Sequence, residues 1–513
     1  MDGINSVESS GCKNGGEEEN DRITEMPDCI LAHILSFLPT EDVVKMVLVP
    51  RFRHCWTLIR SLSFSCPQDE EYYYDYDGIF PAFDERVLNL IENVLIRHES
   101  STIDDFSVRF KYNNGLSDED PDRASKKKTM AKRIRTWVRF AVTKKVKVLD
   151  LDLVGGSCTL GGCSTELEVN YKLPDFVLSS DHLTELKLVA CAIRPRGHIQ
   201  LKSLKKLSLR EIILSEKIMD EVMNGCPLLE ELSLTDCSGL RKLNVTNPNV
   251  KRLVLLFYKK PHERLEISCP NVVSLDIDGS LENAHLEDVS SSLVDASLSF
   301  NYSLKGALMK YDGVRMLLKK LGNTQSFAPC RFCILVLTIW KLTNQPCPSF
   351  SWKFLVLKIC LSKWHLPGIF TLLRNSHCLE TLTIYVFRGS TDMYLLQNRE
   401  ARWVHAYDFD GGNYWNLEEA SFHCLKHHLR TISIYGYVTE PYMIELVEFL
   451  LKNAMVLETM VISTKKSPFH GDEIRPGYIP PPMDRFTSEE LLEFSQKLLT
   501  FPRASTRAVI HFS

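Results

Sequence analysis

One short phrase (apolar, two others, apolar, one other, apolar) recurs through this 513-residue chain and limits what it can fold into. It stands at Leu183-Leu186-Leu188, Leu204-Leu207-Leu209, Leu229-Leu232-Leu234, Leu240-Leu243-Val245, Val250-Leu253-Leu255 and Val272-Leu275-Ile277. Its last two apolar residues are two apart, the spacing that puts both on one face of a strand. Leu186 to Leu207 is 21 residues and Leu207 to Leu232 is 25. A unit that short cannot bury its own apolar face, so copies must stack side by side into a parallel sheet.

After Leu232 the leucines come closer together, with Leu243, Leu253, Leu265 and Leu275 every 10 to 12 residues. That is too short for a turn containing a helix. Taken alternately, Leu232 to Leu253 is 21, Leu253 to Leu275 is 22 and Leu243 to Leu265 is 22. Two interleaved series predict extended segments on both sides of each turn, with Ile212 to Met223 one of few outer helices. The phrase returns at Leu355-Leu357-Ile359, Leu379-Leu382-Ile384, Leu429-Ile432-Ile434 and Leu457-Met460-Ile462. Roughly ten turns, at ~4.8 Å per strand, predict a sheet on the order of 50 Å long.

Cys191 and Cys237 follow the first and third phrases. Leucine-rich repeats place Asn or Cys there, and the chain resembles that family. The resemblance implies a curved solenoid gripping a protein along its concave face. With the apolar residues of each phrase turned inward, the intervening ones face that side. Candidate substrate contacts are therefore Glu185, Lys187, Lys206, Ser208, Glu231, Ser233, Arg252, Ser274 and Asp276.

Ahead of the repeats lies a compact helical unit. Pro27 and Asp28 start a helix carrying Ile30, Leu31, Ile34, Leu35 and Leu38 on one face, and Pro39 stops it. Thr40 is placed as the N-cap of a second helix with Val43, Val44, Met46, Val47 and Leu48. A third is expected from Pro50, with Phe52, Trp56 and Ile59. Three helices in so thin a unit have more apolar surface than they can hide. Asp21-Arg22-Ile23, Met26-Pro27-Asp28-Cys29-Ile30-Leu31, Ile34-Leu35-Ser36-Phe37-Leu38-Pro39-Thr40, Val43-Val44 and Arg51-Phe52-Arg53-His54-Cys55-Trp56 resemble an F-box. The resemblance implies docking on a Skp-type adaptor, and through it on cullin and RING subunits of a ubiquitin ligase. Met26, Pro27, Leu31, Ile34, Leu35, Leu38, Val44 and Val47 match the family's adaptor-binding positions. Val49-Pro50 departs from the family's Ser-Lys, removing a hydroxyl, a charge and a backbone donor. A repeat scaffold with a degenerate F-box outside any ligase is the alternative.

The charge run from Lys126 to Lys147 is interleaved with Met130, Ile134, Trp137, Val138 and Ala141 at helical spacing. It reads as the wet face of an amphipathic helix capping the open end of the sheet, rather than as a nucleic-acid site. Near the other end, Leu429-Arg430-Thr431-Ile432, Glu445 to Ala454, Leu457-Glu458-Thr459-Met460 and Leu498 to Ser505 resemble the FBD domain, which accompanies F-box and leucine-rich repeats in plant proteins.

The fold class expected is α/β, with a three-helix F-box, a leucine-rich-repeat solenoid with a long parallel sheet, and an α+β FBD segment that continues or caps it. The divisions are a disordered 1–20, F-box 21–65, linker helices and N-cap 66–145, solenoid 146–412 and FBD 413–513.

The formal charge of -4 gives no global attraction to nucleic acid or anionic lipid. The amino terminus has no basic and apolar leader. The longest apolar stretches, such as Cys333 to Leu337, are far short of a membrane span. Sixteen scattered cysteines fit a reducing compartment, cytoplasm or nucleus, better than a disulfide scaffold. Gly155 to Gly162 lacks the Gly-Lys-Ser/Thr ending of a phosphate loop, and Glu70 to Asp77 reads as an acidic aromatic surface loop. Cys330-x-x-Cys333 is half a zinc pattern whose other half, Cys424-x-x-His427, is about 90 residues away. No catalytic residue, cofactor or metal is expected, and the chain reads as a non-catalytic adaptor.

Overall fold

A computed structural model of the protein describes residues 23, 26–65, 85–110, 112, 123–153, 171–257, 265–279, 284–289, 291–300, 311–359, 361–387, 409, 415, 422–464 and 486–513. The 1–20 segment, the Glu70–Asp77 stretch and the Gly155–Gly162 run lie outside the described residues.

Fifteen strands form one parallel sheet, in chain order along its length. They are Ser61–Ser65, Asp105–Arg109, Val148–Asp152, Glu185–Val189, Lys206–Arg210, Glu231–Thr235, Arg252–Phe257 and Ser274–Gly279. Asp295–Phe300, Ser326–Ala328, Phe354–Ile359, Thr381–Val386, Thr431–Gly436, Thr459–Ser463 and Val509–Phe512 complete it. The register aligns the leucines: Leu186 faces Leu207, Leu207 faces Leu232, Leu232 faces Leu253 and Leu253 faces Leu275. These rows are buried on one face, while the residues between them remain partly open on the other. At ~4.8 Å per step, fifteen strands span about 70 Å, longer than the expected 50 Å.

The excess comes from both ends. Ser61–Ser65 and Asp105–Arg109 already belong to the sheet, so it begins well before residue 146 and takes in part of the expected linker. The helix Arg123–Thr143 buries Met130, Ile134, Trp137, Val138 and Ala141 as its spacing requires, but two strands precede it and it does not cap an open end. Residues 413–513 contribute three strands to the same sheet rather than a separate layer.

The closely spaced middle segment has a second strand layer. Lys242–Asn244, Leu265–Cys269 and Ala284–Val289 pair in parallel as their own sheet, alternating in sequence with main-sheet strands. An interval of 10 to 12 residues leaves room for a return strand and not for a helix. Elsewhere helices fill the intervals, and they are more numerous than the sequence suggested: Glu85–Arg97, Glu216–Gly225, Tyr311–Leu321, Arg331–Leu342, Leu366–Asn375, Pro441–Asn453 and Ser488–Thr500 join Arg123–Thr143. Ser215 caps Glu216–Gly225 by accepting the Ile218 N–H. The apolar run around Cys333 to Leu337 lies in Arg331–Leu342, buried from Phe332 to Trp340 against Leu366–Asn375. No helix of the described residues is long and apolar enough to cross a membrane.

Candidate protein-docking surfaces

The amino-terminal unit is built on Asp28–Leu35 and Thr40–Lys45, followed by tight 3-10 turns at Met46–Leu48, Pro50–Phe52 and Cys55–Leu58. The expected third helix is therefore two short turns, since Pro50 cannot donate a backbone hydrogen bond and Arg53 and His54 interrupt the pitch. Nor is Thr40 the cap. Pro39 takes the cap position, while Thr40 is fully buried and its hydroxyl accepts the Ser63 N–H at 2.7 Å. The Arg51 guanidinium donates to the Asp28 carboxylate and the Met26 carbonyl, tying the turn after Pro50 to the start of the first helix.

That first helix is apolar on two faces. Leu31 and Leu35, four apart, face inward, where Cys55, Trp56 and Ile59 are also buried, and only 0% and 3% of their surfaces are exposed. Ile30 and Ile34, also four apart, face out. The helix stops at Leu35, so Phe37 and Leu38 follow in a turn that turns them outward; Phe37 is 76% exposed. Leu48, in a 3-10 turn, is 82% exposed, and Val49 beside it is open as well.

The eight expected adaptor positions are therefore divided. Leu31 and Leu35 are core residues, which corrects their reading as docking groups. Pro27, Ile34 and Leu38 are exposed. Met26, Val44 and Val47 are half-buried against the core. Ile30, Phe37, Leu48 and Val49 were not among the expected positions and carry much of the exposed apolar surface. Helical periodicity could have separated Ile30 and Ile34 from Leu31 and Leu35. The outward turn of Phe37 depends on where the helix ends.

The second surface is the open face of the sheet. All nine expected contacts stand on its strands, partly exposed, and the register lines several up. Lys206 lies beside Glu231, Glu231 beside Arg252, and Arg252 beside Ser274. Their side chains follow: Lys206 Nζ is 3.8 Å from Glu231, Arg252 Nε is 3.6 Å from it, and Arg252 donates to Ser274 Oγ at 3.3 Å. Lys187 Nζ lies 2.8 Å from Glu185. Burial pulls the Lys187 pKa down, but Glu185, Asp150 and Asp105 outweigh it, leaving it raised. Burial raises Asp150 and Asp105. Much of the charge on these strands is thus internally paired.

Cys330 caps Arg331–Leu342, its sulfur 3.4 Å from that of Cys333, while Cys424 donates to the Leu373 carbonyl at 3.1 Å. Among the described residues no group of three or more His, Cys, Asp or Glu is placed to hold a metal ion. Cys191 is buried, and burial also pushes the Cys237 thiol up to about 12, so neither is a ready nucleophile.

Relatives in Arabidopsis thaliana match the chain in sequence over most of their length. The chain is 28% identical over 464 residues to F-box/LRR-repeat protein At3g18150, covering 87% of each. It is 24% identical over 460 residues to F-box/LRR-repeat protein At5g02930, covering 86% of this chain and 87% of the relative. F-box/LRR-repeat protein At5g02910 is 25% identical over 453 residues, with 86% and 88% covered. Residues 120–475 match the family model described as At1g61320/AtMIF1, LRR domain, and span strands of the sheet from Val148–Asp152 to Thr459–Ser463. With its stacked parallel strands, leucine rows and that match over more than half its length, the chain belongs to the At1g61320/AtMIF1 LRR-domain family.

Proposed function

We propose that the protein is the target-recognition subunit of a Skp–cullin–RING ubiquitin ligase, acting in the cytoplasm or nucleus. Residues 21–65 serve as its F-box and the last hundred residues as an FBD segment. The observation that carries the reading is the exposed apolar ridge of Ile30, Ile34, Phe37 and Leu38, with Leu48 and Val49 open as well, on a unit whose Leu31, Leu35, Val43 and Trp56 are packed inward. So concentrated an apolar surface on a short helical unit suits a partner groove. The names of the Arabidopsis relatives support the same assignment. The sheet holds the target, and a ubiquitin-charged enzyme elsewhere in the complex meets a target lysine at high effective concentration. This chain supplies position and no bond chemistry.

Pull-down with a Skp-type adaptor tests the reading. Phe37→Asp combined with Leu48→Asp abolishes retention while the melting temperature holds; full retention would overturn it. A second reading, a repeat scaffold outside any ligase, is favoured by the Val49-Pro50 turn standing where a third helix was expected. Adaptor binding without cullin-dependent turnover of any bound protein would select it.

A further inference from the structure

The open face of the sheet is chemically divided. Its first half carries the paired charges of Asp105, Asp150, Glu185, Lys187, Glu231 and Arg252. Three strands beyond Arg252 the charge runs out. The central row from the tenth strand is Ala328, Val356, Thr383, Ser433 and Val461, all half-buried, small or aliphatic, and uncharged. Val356, Thr383, Ser433 and Val461 are direct neighbours in register.

The two flanking rows are also nearly neutral. On one side Phe354, 42% exposed, is followed by Thr381, Thr431 and Thr459. On the other, Tyr385 stacks on Tyr435 with ring centroids 5.2 Å apart, next in register to Lys358. Lys358 is the one charged residue in the three rows over these strands, among the described residues.

We infer that this neutral strip, and not the charged half, seats the target, and that it takes an extended, uncharged segment bearing aromatic or aliphatic side chains. The inference rests on the reading of the chain as a target receptor. A carboxylate or ammonium landing on the strip would lose its water and find almost no opposite charge to replace it. An uncharged segment avoids that cost. The Thr and Ser hydroxyls can donate to and accept from its backbone, while Phe354, Val356 and Tyr435 provide apolar and aromatic surface for its side chains. From the Ala328 strand to the Val461 strand is four steps of ~4.8 Å, about 19 Å, the length of about six extended residues. On the charged half, by contrast, a ligand would first have to break pairs such as Arg252–Glu231.

The test uses the full chain with its adaptor and fluorescent synthetic dodecapeptides as the probe. One set has neutral six-residue cores of Tyr, Phe, Leu, Asn and Ser; a matched set carries Asp or Lys at two core positions. Fluorescence anisotropy is expected to show binding of neutral cores and at least tenfold weaker binding of charged ones. Val356→Glu and, separately, Ser433→Glu should each weaken the neutral cores at least tenfold without lowering the melting temperature. Lys206→Gln, on the charged half, should change nothing. Absence of binding by the neutral set, preference for charged cores, or indifference to both strip variants would overturn the inference. Adaptor retention is measured on the same preparation, so failure of the ligase reading would appear separately, as lost retention with peptide binding intact.

Discussion

The Thr40 hydroxyl accepts the backbone N–H of Ser63 at 2.7 Å, joining the second helix of the amino-terminal unit to the first strand of the sheet. The junction has further bonds: the Thr57 carbonyl accepts the Glu99 N–H, Asp104 N–H donates to the Arg60 carbonyl, and His98 Nε2 meets the Ile59 carbonyl at 2.7 Å. The apolar ridge is therefore fixed to the sheet, without a free tether between them. In a ligase this sets the reach from adaptor to target.

Thr40→Val removes the acceptor that the Ser63 N–H uses in this part-buried bond. The expected cost is about 0.5–1.5 kcal/mol. Thr40→Ser keeps the oxygen and should recover most of it. Thermal unfolding of both variants distinguishes the lost bond from the lost methyl group; equal stability of Thr40→Val and wild type would show that the bond contributes nothing.

Leu35 and Phe37 are two residues apart and should behave oppositely. Leu35 is enclosed by the core, so Leu35→Asp buries an unpaired carboxylate and unfolds the unit. Phe37→Asp adds charge to an open surface and should change melting by less than about 0.5 kcal/mol, while weakening adaptor retention. Removal of residues 21–64 is not a clean control for either, because it deletes all but the last residue of the Ser61–Ser65 strand and opens the edge of Asp105–Arg109. A Phe37 variant that melts early would place that ring in the core after all.

How much of this was legible beforehand depended on the range of the signal. The rows of leucines could be read because a repeat states its register many times over, and the Leu243 and Leu265 series gave the second strand layer by spacing alone. The two leading strands were harder. Leu62 and Phe64 occur once, adjacent to a helical unit, and nothing local says that they pair with Phe106 and Val108. Sequence placed the residues between the leucines on the open face of the sheet but could not show that Glu231 is already shared between Lys206 and Arg252. The roles of Leu31 and Ile34 were confused because a helix apolar on two sides gives no inward direction until its neighbours are in place.

Gly368 was not singled out by any turn signal, since its role lies in a close approach. In the crossing of Leu366–Asn375 over Arg331–Leu342, an added Cβ would stand 2.1 Å from the Ile334 carbonyl oxygen, 2.8 Å from Ile334 Cγ2 and 2.9 Å from Thr338 Oγ1. The first is backbone and cannot rotate away. Thr338 also donates to the Trp364 carbonyl at 2.6 Å, so separating the helices strains that bond as well. Gly368→Ala, ordinarily favourable in a helix, should here destabilise by about 1–3 kcal/mol. A denaturant midpoint at or above wild type would show that the helices separate without cost.

His365 should make the protein acid-sensitive. It is fully buried, its Nδ1 accepts the Ser362 N–H at 3.1 Å, and Nε2 has no partner among the described residues. Burial, with the Arg331 cation adding to it, holds the imidazole pKa down to about 3, against about 6.5 in an unfolded chain. The folded state thus refuses a proton that the unfolded state accepts. Stability is complete above about pH 6.5 and falls as pH drops below it, by up to about 1.4 kcal/mol per unit. His365→Asn keeps a side-chain acceptor near Ser362 and removes the titration. Between pH 7 and pH 5 the wild type should lose up to about 2 kcal/mol more than the variant. Other titrating groups are common to both and cancel in the comparison, so parallel stability curves over that range would show that His365 is protonated in place, with room for its charge.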